Sequence, residues 1–526
     1  MLWLFPRKRI KLKTKSSKII TSERNERRDL FNYSLIARFY RTKHYPLSLQ
    51  LFFVIVLVIF IYDGFVGPDS ADANLITLAL SGVFWYPMIF GGLFFLGRSW
   101  CAVCPVGAIA GAANRFNLGF KFPRQLSTWG LPLIAFIGPL WGFREFGINV
   151  LREPLITAVW ISGVIAIAIL VSILFKGRVF CRFMCPITTP LAVRSRVAPV
   201  EVRTKTMATY SDMSNKQRQH VSSSTIKKLP MTAEISKANN TGNMTSVGKI
   251  DPTCKSCKTH DCFKGNEDTE GCPWGEHPAT MTNNSACSMC MKCVHSCPPT
   301  EPMRLRLRMP FSELWQVFRP DIYEALTILV LIGIFNTFLW HETIDLFLPG
   351  FKEMLLEGTQ SLFPFLSEEQ VERGIIRYVM SIGMVLGIYT FASLVSSKLS
   401  GQKLRSNFAN FSYPYLAAFF IYGIVDSTFG QIANNGGLYL TAALHHLGIY
   451  LYISPNLMDL GSLEAYSMKW IIEAILAVLV GGYVTYRIAL NITSNNTKKM
   501  ILAATPHMLM ILFLVLIFTT ILPRWS

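Results

Sequence analysis

Twelve cysteines stand in this 526-residue chain, and every one falls in a group with metal-ligand spacing. Cys287, Cys290, Cys293 and Cys297, followed by Pro298, spell C-x2-C-x2-C-x3-C-P, the spacing that wraps a [4Fe–4S] cluster. Upstream lie Cys254, Cys257, Cys262 and Cys272, the last again followed by a proline, Pro273. The remaining four form two pairs, Cys101/Cys104–Pro105 and Cys181/Cys185–Pro186. Structural zinc usually takes two C-x2-C pairs set a dozen or more residues apart, whereas the 287–297 run crowds its thiolates together as a cubane requires. Disulfide frameworks belong to small secreted domains. The chemistry expected of these thiolates is one-electron transfer through iron–sulfur clusters.

The elements that must position them are membrane helices. Hydrophobic residues make up 51% of the chain and charged residues only 16%, against about a quarter in soluble domains, and the mean hydropathy is +0.35. Apolar stretches long enough to span a bilayer fall at about 48–66, 76–97, 128–148, 155–175, 322–340, 375–396, 408–428, 468–486 and 502–522. Nine such runs are too many for the core of a soluble protein. A weaker run, 438–453, holds His445 and His446 and is expected as a re-entrant or surface helix, a tenth span being the alternative. The fold class expected is a mainly α polytopic membrane protein with about nine transmembrane helices and a small inserted α+β ferredoxin-like module.

Lysine and arginine placement orients it. The first 46 residues are strongly basic and lack the apolar core and cleavage site of a signal peptide, so a retained cytoplasmic arm is expected over 1–47. Asp63 to Asp72 and the acidic segment 342–372 should face outward; Arg98, Arg115, Lys121, Lys176, Arg178 and Lys398 should face inward. The net charge of +19 then reflects topology and attraction to anionic membrane lipid, not nucleic-acid binding. All twelve cysteines fall on the cytoplasmic side of an inner (cytoplasmic) membrane, where thiols stay reduced. The expected domains are a four-helix membrane domain at 48–186, a polar linker at 187–250, a ferredoxin-like module at 251–310 and a second membrane domain at 320–526.

An internal repeat joins the two membrane pairs. Gly97-Arg98-Ser99-Trp100-Cys101 matches Gly177-Arg178-Val179-Phe180-Cys181, and each copy continues to a second cysteine, a proline and a branched apolar residue. Two hairpins built alike would gather Cys101, Cys104, Cys181 and Cys185 as a third redox site. The other reading is a set of buried structural thiols beside helix-ending prolines.

With these motifs in place the chain resembles the NosR/NapH-type membrane polyferredoxins, with relatives among the oxidase-assembly ferredoxins of the CcoG kind, over about residues 48–310. The resemblance implies two [4Fe–4S] clusters passing electrons between quinone or quinol and a respiratory reductase or oxidase component. This chain departs from the pattern in its first pair, C-x2-C-P where C-x3-C-P is usual, and in its stretched first ferredoxin motif, C-x2-C-x4-C-x9-C-P. Residues 320–526 have no counterpart in it.

In two-cluster ferredoxins the fourth cysteine of each run serves the other cluster. That pattern assigns Cys254, Cys257, Cys262 and Cys297 to one cluster, and Cys287, Cys290, Cys293 and Cys272 to the other. Asp426, His445, His446, Glu473 and His507 are ionisable groups at or near membrane depth, suited to quinol chemistry or to hydrogen-bonded packing. No histidine pair has the spacing to claim haem. No nucleophile–base set or phosphate loop is present, so no catalytic residue is assigned and the chain is expected as the electron-transfer component of an oxidoreductase system. Three alternatives stand beside it: an assembly factor reducing copper or thiols, a redox-coupled ion pump, and a zinc-stabilised scaffold.

Overall fold

The computed structural model describes residues 28–71, 73–80, 96–123, 125–148, 150, 152–204, 257, 259–267, 269–278, 281, 283–297, 303–315, 322–335, 350–424, 437, 440–441, 444–446, 448–454, 463–493 and 496–521. It is mainly helical, and its contacts divide it into two units. The first holds Met1–Tyr45, Val200–Asn283 and Cys290–Met309; the second holds Pro46–Pro199, Asn284–Met289 and Pro310–Ser526.

The first unit is closed at its base by two antiparallel strands, β1 (Val200–Thr204) and β2 (Met303–Leu307), with Val202 opposite Leu305. The sequences V-E-V-R-T and M-R-L-R-L alternate with the period of a strand. Their charges are accommodated: the Arg304 guanidinium lies 3.0 Å from the Asp29 carboxylate, and the buried Arg308 and Glu201 are paired at 3.8 Å. The ends of the cysteine-bearing insert are thus pinned together.

In the second unit, among the described residues, five helices are long and apolar enough to cross a membrane: Leu47–Val66, Pro154–Leu174, Glu368–Ser400, Ile471–Ile492 and Thr497–Leu516. This is a multi-pass membrane architecture. The stretch expected at 128–148 is a shorter helix, Gly130–Glu145, with a π-helical middle. Gly130–Ala135 passes into a π-helical turn, Phe136–Gly142, and ends in Phe143–Glu145. Pro139 inside it removes a backbone donor, and the wider turn absorbs the defect. Most of 76–97, the end of 322–340 and Asp426 lie outside the described residues.

Contacts sort the loops of this unit to two ends. At one, Gln50 donates to the Ala102 carbonyl at 2.6 Å, the Lys176 N–H donates to the Phe120 carbonyl at 3.1 Å, and Asn491 donates to the Trp315 carbonyl at 2.8 Å. At the other, Gly64 packs against Pro154, Gln370 donates to the Phe146 carbonyl at 3.1 Å, and His446 Nε2 lies 2.7 Å from the Ala73 carbonyl. Segment 438–453 does not run straight. The Ile453 N–H donates to Thr441 Oγ1 at 2.9 Å, whereas a continuous helix would hold these residues about 18 Å apart. Residues 188–204, expected as the start of a polar linker, are buried helix (Thr188–Ser195) and strand. A bidentate pair between Arg196 and Glu324, at 2.7 and 2.8 Å with Tyr413 Oη donating to Glu324 at 2.5 Å, lets that segment carry charge into the interior.

Candidate metal centre

The two copies of the repeat fold alike. Gly97 and Gly177 both take left-handed backbone, φ +60° and +88°, a conformation that costs glycine nothing. Each turns the chain into a short helical segment, Trp100–Val103 or Phe180–Met184, that carries the first cysteine. The second cysteine ends that segment with nearly the same dihedrals, φ −56°, ψ 125° at Cys104 and φ −63°, ψ 122° at Cys185. The cause is the following proline, which pushes the residue before it out of the helical region. Pro105 then opens the helix Pro105–Ala113 at its first position, where a missing N–H costs nothing. Pro186 stands two residues ahead of the helix Thr188–Ser195.

These hairpins bring the four thiols into one group. Cys104 lies within electrostatic reach of Cys101, Cys181 and Cys185, and Cys185 within reach of Cys101 and Cys181. Gly107 lies against the group: a Cβ built there would make ordinary contact, 3.7 Å from Cys181 Sγ and 3.7 Å from Cys104 Cβ. Apolar packing of Ala110, Ala168, Val171, Val179, Phe180 and Phe183 backs the second hairpin.

Each of the three perturbed thiols keeps part of its surface accessible while dense protein surrounds it, and burial pushes all three up. Cys104 rises well above the ordinary thiol range, with the Gly107 N–H opposing. Cys185 is pushed up to about 12, by burial first and then by its thiol neighbours, against the Ile187 N–H and the Thr188 hydroxyl. Cys181 is raised by burial and drawn back by the Arg178 and Arg98 guanidinium groups.

Thiols raised in this way become thiolates when a metal takes the proton's place. Soft thiolate donors, backbone N–H groups aimed at sulfur and two nearby cations suit an iron–sulfur cluster. Among the described residues, no three His, Cys, Asp or Glu side chains close on a single point as the ligands of one ion do. Cluster thiolates each bind their own iron and so stand around a cubane rather than a point.

The ferredoxin-type cysteines show a second internal likeness. His260 and Met291, at φ +56° and +57°, each lead into one short helix, Asp261–Lys264 with Cys262 and Lys292–His295 with Cys293. The His260 N–H donates to Cys257 Sγ at 3.4 Å. The stretched C-x9-C interval is short in space. Gly265 and Gly271, at φ +88° and +68°, fold residues 263–271 into an excursion that returns the Cys272 N–H to the Phe263 carbonyl at 3.3 Å.

Cys272 is pushed up to about 12 by burial and, next, by Cys290 close by; the Glu276 and Trp274 N–H groups oppose this. Lys292 beside Cys293 is paired with Glu270. Cys287 lies in the short stretch that groups with the second unit, where its N–H donates to the Asn284 carbonyl at 2.9 Å. Cys254, Lys255 and Lys258 lie outside the described residues.

His507 is fully buried, with Nε2 3.2 Å from Asn407 Oδ1, Nδ1 3.1 Å from Tyr415 Oη and Phe411 stacked on its ring at 4.3 Å. Every polar atom of that ring has a partner, which is a packing role. Glu473 is buried on the helix Leu463–Ile492, and His445 lies beside Tyr450. Residue reasoning missed Gly107, Thr188, Arg98 and Arg178 as parts of the thiol site. The arginines had a signal, their place inside the duplicated motif, which the positive-inside reading absorbed.

A family model for a 4Fe-4S binding domain matches residues 78–124 and 157–197. Those two segments are the repeated hairpins, and they contain Cys101, Cys104, Cys181 and Cys185. No curated protein and no solved structure matches the chain. The match falls on the gathered thiols, so the chain carries two segments similar to a 4Fe–4S binding domain, set among apolar helices, and the match supports an iron–sulfur protein of the ferredoxin type.

Proposed function

We propose that this chain is a membrane electron carrier of the NosR/NapH/CcoG kind, passing electrons between the quinone pool and a respiratory reductase or oxidase component through three [4Fe–4S] clusters. One is held by Cys101, Cys104, Cys181 and Cys185. The second takes Cys254, Cys257, Cys262 and Cys297, and the third Cys287, Cys290, Cys293 and Cys272. The observation that carries the reading is the gathering of the four membrane thiols within the matched 4Fe–4S segments. The proximity of Cys272 to Cys290 supports the crossed ligand sets.

Clusters bound at these thiolates supply one-electron transfer. The thiolates of Cys101, Cys104, Cys181 and Cys185 would hold a centre able to take electrons one at a time from a two-electron donor such as a quinol, whose two protons would pass to water, and to hand them to an oxidising partner. The Gly107 and Ile187 N–H groups would donate to the Cys104 and Cys185 thiolates, and the apolar packing behind the second hairpin would lower the polarity around them. Nine spans, with the basic arm and all cysteines on the cytoplasmic side of the inner membrane, accord with the charge distribution.

The test is composition. Anaerobically purified protein is expected to hold about twelve irons and as many acid-labile sulfides per chain, and the Cys104→Ser, Cys185→Ser double variant about eight. The double variant should also stop quinol from reducing the remaining clusters. A wild-type count near eight that the double variant leaves unchanged would make the four thiols structural.

A further inference from the structure

The arginines of the repeat, Arg98 buried and Arg178 half-buried, have a use that topology does not explain. Arg98 is 1% exposed, and its Nη1 donates to the Ser285 carbonyl at 2.5 Å. Arg178 lies along the helix Pro105–Ala113: a Cβ built at Gly111 would stand 3.0 Å from its Nη2, one helical turn beyond Gly107, against which Cys181 Sγ rests. Glycine at both places lets the thiol and the guanidinium lie on the same helix face. Arg98 stands one turn before Cys101, whose N–H donates to the Arg98 carbonyl at 2.9 Å. A charge that served only to keep a loop on the cytoplasmic side would remain in water, as Lys121 does on the same side of the chain.

We propose that Arg98 and Arg178 are positioning residues whose paired charges set the reduction potential of the four-thiol centre; this rests on the cluster assignment above. A cluster held by four thiolates is an anion that becomes more negative when it accepts an electron. Fixed cations in a poorly polarisable surrounding therefore stabilise the reduced state more than the oxidised one and raise the potential. Duplication of arginine with cysteine places one cation from each hairpin at the centre.

The experiment is a potentiometric titration of the full chain in nanodiscs, with dithionite as the one-electron reductant and no bond made or broken. The four-thiol centre is recognised as the paramagnetic signal absent from the Cys104→Ser, Cys185→Ser variant. Arg98→Gln and Arg178→Gln are each expected to disfavour its reduction at least tenfold, a fall of about 59 mV for one electron. Arg178→Lys should recover more than half of that fall, because it restores charge without the planar fork.

Midpoints unchanged in both Gln variants overturn this inference and leave the cluster assignment standing. A wild-type chain with no such signal and about eight irons overturns both. Should the Gln variants fail to load the centre, the Lys variants decide. Loading with a near-normal potential supports a charge role, and failure to load assigns the arginines to packing.

Discussion

Gly107 leaves room for one methyl group, but little more, between the two cysteine hairpins. A methyl group there makes ordinary contact with Cys181 Sγ and Cys104 Cβ, both at 3.7 Å, but the branches of a larger side chain would reach into the thiol group. Gly107→Ala is therefore expected to load normally and Gly107→Val to lose about four irons per chain, measured on anaerobically purified protein. Loss in both variants would mean that backbone freedom, not space, is what the glycine supplies. Cysteine spacing made the ligands legible because the chemistry needs those residue types at those intervals. Gly107 and Thr188, whose hydroxyl donates to the Cys181 carbonyl at 2.6 Å, were not legible. Their roles depend on which hairpin packs against which, a property that no single stretch of sequence carries.

At the scale of elements, two devices hold the cysteine segments in place. Gly271 lets the long 262–272 interval fold back, and a Cβ there would fall on the Gly265 nitrogen and within 2.7 Å of the Phe263 carbonyl oxygen. With φ at +68°, Gly271→Ala is expected to cost more than about 1 kcal/mol and to lower iron content, read by unfolding and by metal analysis together. The second device is the Arg196–Glu324–Tyr413 cluster, which anchors the segment after Cys185 to the helices Ile322–Phe335 and Leu404–Ile424.

Glu324→Ala strands a buried guanidinium, so a loss of about 3–5 kcal/mol is expected in denaturant unfolding of the detergent-solubilised chain. The paired Arg196→Met, Glu324→Leu replacement should cost far less. Equal losses would show that the pair contributes by shape alone. Hydropathy found the long helices because their apolar runs match bilayer thickness. It overran at 128–148, where the helix covers only Gly130–Glu145 with a π-turn at Pro139, and it passed over the buried helix Thr188–Ser195, which reads as surface until the partner of the adjacent Arg196, Glu324 128 residues away, is known.

For the whole molecule, the charge asymmetry and the contacts agree on two ends. The thiol-bearing end carries Arg98, Arg115, Lys121, Lys176, Arg178 and Arg182; the other carries Asp63, Asp69, Glu353, Glu357, Glu368 and Glu369. Segment 444–454 belongs to the acidic end through the contact of His446 with Ala73, reinforced by Asp63, whose carboxylate lies 3.9 Å from His446 and also accepts from the Leu75 N–H at 2.7 Å. An epitope inserted after Pro68 and one inserted after Gly448 should therefore both bind antibody on intact spheroplasts, whereas one after Phe116 should bind only after permeabilisation. Each insertion falls at an exposed turn or loop residue, where added chain is tolerated. A Gly448 epitope that needs permeabilisation while the Pro68 epitope does not would separate two segments that the His446 contact joins, and would mean that 438–453 crosses the membrane. Reversal of all three would keep the fold and invert the orientation, placing the thiols on the outer face, where the oxidising surroundings would close Cys101, Cys104, Cys181 and Cys185 into disulfides rather than leave them free for iron.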